Sequence, residues 1–138
     1  MYCLHHICIS VENLKETLEF YQKLGFEKFN EYSDDTVDIV LLKLNSDILE
    51  IFHYKTREAL PEHAKDYGKD LLFVGVKHFG IGVDDIEDAK KFVKENNLFD
   101  GEIEIKRGRL GKPYFFIKDP NGISIEFIEN YDFTKKKQ

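Results

Sequence analysis

The stretch HHICISVENL, residues 5–14, and its counterpart HFGIGVDDI, residues 78–86, decide how this chain is organised. In the first, Ile7, Ile9 and Val11 alternate with His6, Cys8 and Ser10. That period of two describes a β-strand with one packed face and one face carrying polar groups. The pattern then changes to helical spacing. Setting His6 on His78 pairs Ile7 with Phe79, Ile9 with Ile81, Val11 with Val83, Asn13 with Asp85, Leu14 with Ile86 and Phe20 with Phe92, at a constant offset of 72. Such self-similarity marks an internal repeat of one supersecondary unit.

Each copy continues in the same way. Asn13, with Glu16 three residues on, caps a helix predicted over 14–24, and Gly25 stands at its C′ position. Asp85 caps a second helix predicted over 86–96. Strands are predicted at 26–32, 37–44 and 47–54 in the first copy, and at 102–107, 113–118 and 122–129 in the second. The turn Asp119-Pro120-Asn121-Gly122 closes the last hairpin. The expected fold is α+β. The pattern gives two tandem βαβββ modules with eight strands in all. Module one spans about 3–54, a connector with a short helix inside 58–67 spans 55–74, and module two spans 75–131. A basic tail at 132–138 completes a single domain over 1–138.

The bulk numbers fit one compact unit of 138 residues. Net charge is −6, which argues against a nucleic-acid binder; the only basic run is Lys135-Lys136-Lys137. Cys3 and Cys8 point to opposite faces of one strand and form no disulfide framework, so a reducing compartment, the cytoplasm, is expected. No apolar stretch has the length of a membrane span, and no signal peptide is read at the N-terminus.

The ends of the copies also match. ILEIF at 48–52 lies over SIEFI at 124–128, which sets Glu50 on Glu126. A carboxylate inside an apolar strand is costly to bury and so carries information. By strand parity His6, Glu50, His78 and Glu126 lie on the faces opposite the helices. A lone strand His is more often an ordinary core or edge residue. Two His and two Glu at matching places in two copies favour a shared divalent metal site, with open positions for water or substrate. His5 and His53 have the wrong parity, and His63 lies in the connector. Cys8 lies on the site face as a pocket-lining residue, a soft ligand or a small buried hydrophobe. Gly80 and Gly82 leave room there for a ligand or another backbone.

Tandem βαβββ halves with His in each first strand and Glu in each last strand resemble the vicinal oxygen chelate superfamily. HHICISVENLKETLEFYQKLGF resembles its opening, LEIF its first glutamate strand, and DPNGISIEFIE its closing motif. The full His–Glu–His–Glu set is most similar to the glyoxalase I (lactoylglutathione lyase) family. That resemblance implies a curved, mostly antiparallel eight-stranded sheet around a metal cavity, and one divalent metal per site, nickel or zinc first, with manganese, cobalt and iron also open. It also implies proton transfer by Glu126 or Glu50 on the hemithioacetal of an α-oxoaldehyde and a thiol, and a homodimer. A small-molecule substrate with a thiol cosubstrate is the expected partner. The alternatives are an epimerase acting beside a thioester carbonyl and a non-catalytic small-molecule or drug binder. The chain departs from glyoxalase I at two thiol-binding places, occupied here by Ser10 and Tyr54. Arg107, Arg109 and Lys112 in RGRLGKPYFF form a basic loop, either a receptor for an anionic substrate or a solvated hairpin. Cys8, Ser10, Tyr54, Arg109 and Lys112 are the expected substrate contacts.

Overall fold

The computed structural model of the chain describes residues 1–134; the lysine run of the tail lies outside them. Module one is β1 (His6–Ser10), α1 (Leu14–Leu24), β2 (Glu27–Ser33), β3 (Val37–Leu44) and β4 (Asp47–Tyr54). Module two is β5 (Phe79–Val83), α3 (Ile86–Glu95), β6 (Lys106–Arg107), β7 (Pro113–Lys118) and β8 (Ser124–Glu129). The strands form two four-stranded sheets, ordered β1-β4-β3-β2 and β5-β8-β7-β6, in place of one hydrogen-bonded sheet of eight. In each, the first strand pairs in parallel with the last, and the remaining pairs are antiparallel. The repeat is therefore real at the level of topology.

Local chemistry explains the helix ends. The Asn13 side chain accepts a hydrogen bond from the Glu16 amide at 3.0 Å, and Asp85 accepts one from Asp88 at 3.0 Å. Gly25 ends α1 at φ 111°, a left-handed conformation that a Cβ disfavours. Gly82 is needed for a different reason: a Cβ there would collide with the Asn130 side chain.

Two expectations are corrected. The strand predicted at 102–107 is paired only at Lys106 and Arg107. Residues 102–105, which would lie opposite 115–118, form no ladder with β7; Ile103 is buried in the core instead. The connector helix predicted within 58–67 is a 3-10 turn at Glu62–Lys65 followed by a single helical turn, α2 (Tyr67–Asp70). Pro61 holds an extended ψ of 143° just before it, so helix cannot start earlier.

One buried cluster joins the modules, with Ile9, Tyr21, Leu42 and Ile51 from the first and Ile86, Val93, Phe115 and Ile125 from the second. The β7–β8 turn latches onto α1. Tyr21 donates its hydroxyl to Asp119 Oδ2 at 2.8 Å, and the Asn121 amide donates to Thr17 Oγ1 at 3.0 Å. Burial, with Asp119 beside it, pushes the Tyr21 phenol well above its usual range. Among the described residues no helix is long and apolar enough to cross a membrane.

Candidate metal centre

Strand register sets the geometry. On β1–β4, Cys8 pairs with Glu50; on β5–β8, Gly80 pairs with Glu126. In both modules the histidine lies two residues before the partner of the glutamate, so each His reaches its own Glu diagonally across a parallel pair. His78 Nε2 is 2.9 Å from Glu126 Oε2, and His6 Nε2 is 3.5 Å from Glu50 Oε1. Metal–ligand bonds of about 2.0–2.2 Å put neighbouring donor atoms roughly 3 Å apart, so the donors of the second pair already stand at ligand spacing. The four residues occur as two His–Glu pairs. Among the described residues no group of three or more His, Cys, Asp or Glu side chains is gathered closely enough to hold a metal ion.

The surroundings of the pairs differ. His6 and Glu50 lie on an open face, their side chains 40% and 26% exposed. The His6 Nδ1 is hydrogen-bonded to His5 Nδ1 at 2.9 Å. Parity set His5 aside, but β1 begins only at His6, so strand alternation does not govern the preceding residue. Cys8 is exposed rather than buried. Partial burial and then the charge of Glu50 push its thiol up, which disfavours a thiolate ligand there. Ser10 and Tyr54 are exposed on the same module, Tyr54 with its ring stacked on Phe52.

His78 and Glu126 instead lie in a cup of about 530 Å³. The rings of Tyr67, Tyr114, Phe116 and Tyr131 line it, and Arg109 and Lys112 stand there too. Of the five expected substrate contacts, these two share a cavity with a His–Glu pair; Cys8, Ser10 and Tyr54 do not. The His78 Nδ1 is buried without a hydrogen-bond partner. Phe116 packs against the imidazole edge-on at 4.9 Å, and Tyr67 of the connector stacks on Phe116 at 4.2 Å. Sequence reasoning missed both. Phe116 pairs with Glu126 across the hairpin, so counting register back from the Asp119 turn would have found it; nothing in the sequence marked Tyr67.

The remaining histidines do other work. His63 contacts Asp70 at 2.9 Å and stacks on Phe73. Burial works against the Asp70 charge, but Lys77 and His63 hold its carboxyl below the usual range. His53 pairs with Asp38 at 3.2 Å, away from both glutamates.

Comparison with known proteins agrees with this architecture. The family model "Glyoxalase/Bleomycin resistance protein/Dioxygenase superfamily" matches residues 3–127. The mitochondrial methylmalonyl-CoA epimerase of Homo sapiens is 27% identical over 128 residues, covering 89% of this chain and 71% of that protein. A glyoxalase family protein from Enterococcus faecalis superposes with a TM-score of 0.75 at 31% identity, covering 91% of this chain and 96% of the other. The trypanothione-dependent glyoxalase I of Leishmania major shares the fold, with a TM-score of 0.66 at 20% identity over 94% of this chain and 87% of that one.

Proposed function

Because the chain belongs to the Glyoxalase/Bleomycin resistance protein/Dioxygenase superfamily, we propose that it is a divalent-metal-dependent enzyme that moves a proton on a carbon next to a carbonyl of a small molecule. The observation that carries this reading is the pairing of His78 and Glu126 at 2.9 Å within an aromatic cup. His6, Glu50, His78 and Glu126 would hold the ion, nickel or zinc first, and it would supply positive charge to an oxyanion developing on the substrate. Glu126 is the better placed base, since its carboxylate lines the aromatic cup. Without an ion, His78 Nε2 holds that carboxylate at 2.9 Å, the spacing of two donors on one metal.

Epimerisation beside a thioester carbonyl is the leading reaction, supported by the human relative. Isomerisation of a hemithioacetal is the second reading, favoured by the complete His–Glu–His–Glu set. Ser10 and Tyr54, at the places where glyoxalase I proteins contact their thiol, count against it. Both reactions take a proton off carbon and return one to carbon, and the returned proton is a deuteron whenever the base exchanges with solvent first. Metal-loaded protein is therefore incubated in D2O with methylmalonyl-CoA, or with methylglyoxal and a thiol, and deuterium is followed by NMR. Deuterium incorporation or product formation that disappears in Glu126→Gln supports the proposal; neither of them with any of these substrates counts against it.

The active form we propose is a homodimer in which His6 and Glu50 of one chain meet His78 and Glu126 of the partner subunit. Two observations support this: the ligands stand as separate pairs within one chain, and Leu72, Val74 and Val76 expose an apolar run. Two free, exposed cysteines suit a reducing setting such as the cytoplasm.

A further inference from the structure

We propose that the module-two cup selects an organic anion with a flat apolar body, whose acid group is received by Arg109 and Lys112. The inference depends on the reading above only for the reacting end of the ligand, over His78 and Glu126.

Charge argues first. The chain carries −6, yet neither Arg109 nor Lys112 has an ion-pair partner among the described residues, and Glu126 is the only acid lining the cup. Other lysines nearby are occupied: Lys77 is bound to Asp70, and Lys106 is paired with Glu104. Two uncompensated cations at a low-dielectric concavity concentrate positive potential there and draw an anion in. Lys112 is not a loose surface lysine. Its ammonium stands 5.6 Å from the centre of the Tyr131 ring, which positions the charge while leaving its hydrogen-bond donors free. Arg109 offers a planar fork suited to a carboxylate or phosphate.

The walls argue second. Tyr131 is 46% exposed, Leu110 85% and Leu71 54%, so apolar surface lies uncovered beside the cations. A hydrophilic ligand such as a small hydroxy acid would leave this surface wet. A ligand with an aromatic or extended apolar body would cover it, at about 25 cal/mol per Å² removed from water. A volume of about 530 Å³ lies within the range of small-molecule sites and is ample for such a body.

The test uses three probes on the full-length, metal-free, ¹⁵N-labelled protein: 4-phenylbutyrate, the uncharged 4-phenylbutan-1-ol, and acetate. Binding is read from amide shifts at residues 108–112 and at Tyr131. Phenylbutyrate is expected to bind at least about tenfold more tightly than either control. The double variant Arg109→Gln/Lys112→Gln, on an exposed loop, is expected to keep its amide spectrum and to bind the acid no better than the alcohol. Equal binding of acid and alcohol, shifts confined to other residues, or unchanged affinity in the double variant would each overturn the proposal. Repeating the titration with one equivalent of zinc separates it from the metal reading. Discrimination without zinc binding removes only the metal site; zinc binding without discrimination removes only the anion subsite.

Discussion

His78 shows how a single residue can be legible in sequence while its support is not. Its imidazole interrupts an apolar alternation and repeats that of His6, so the sequence points to it. Its orientation depends on Phe116 and Tyr67, two rings in a chain with 12 Phe and 7 Tyr, where one more aromatic carries no signal. Metal-binding histidines usually have their second nitrogen hydrogen-bonded; in the proposed site the His78 Nδ1 would have no such partner, which leaves packing against Phe116 to orient the ring. Phe116→Leu should therefore weaken zinc affinity by about tenfold, measured by competition with a chromophoric chelator, and Phe116→Tyr should restore most of it. Unchanged affinity in Phe116→Leu would show that the ring only fills space. Asp38 makes a second residue-scale case. Lys55, then Ser33 and His53, hold its carboxyl well below the usual range. Its folded pKa is depressed, so its stabilisation is present above the ordinary carboxylate range and is lost as pH falls through and below it. Asp38→Asn should unfold at lower urea than the parent at pH 7, with the gap closing as pH falls toward 3. A gap that stays constant with pH would show that the ion pairs contribute nothing.

At the scale of elements, legibility followed short-range chemistry. Both helices start where Asn13 and Asp85 accept from the amide three residues on, and α1 stops at the glycine that tolerates φ 111°. These are contacts between near neighbours, which the sequence writes side by side. Asn13→Ala should cost about 1 kcal/mol in chemical unfolding, the ordinary value of an N-cap. A loss of only a tenth or two would mean that the latch from Asn121 to Thr17 holds the α1 start by itself. The elements misread are those governed by distant partners. β6 is short because Ile103, at its expected start, is taken into the core, and the connector takes its shape from Asp70 gripping His63 and Lys77. Neither constraint is visible within a window of a few residues.

At the scale of the whole molecule, the repeat was visible because it is written twice, whereas the relation between its copies rests on a shared buried cluster and on long-range contacts such as Tyr21 to Asp119. The same distinction governs the metal site. Sequence could name four candidate ligands, and register explains why they form two pairs, but assembly of those pairs is a question about chains. It can be asked with two damaged proteins: one carrying His6→Ala and Glu50→Gln, the other His78→Ala and Glu126→Gln. Each alone should bind no zinc tightly. If sites form across a twofold dimer, refolding an equal mixture makes half the dimers mixed. Each mixed dimer joins one intact first pair to one intact second pair, and its other site is doubly damaged. Metal content should therefore return to about a quarter of the parent's, with proton exchange recovering in proportion. If all four ligands came from one chain, no mixture could rebuild a site, since every chain carries a damaged pair. Recovery is thus a positive signal that intrachain assembly cannot mimic. Its absence, against a parent that binds one ion per chain, would overturn the shared site and make the open face of module one a half-site that closes on its own second module.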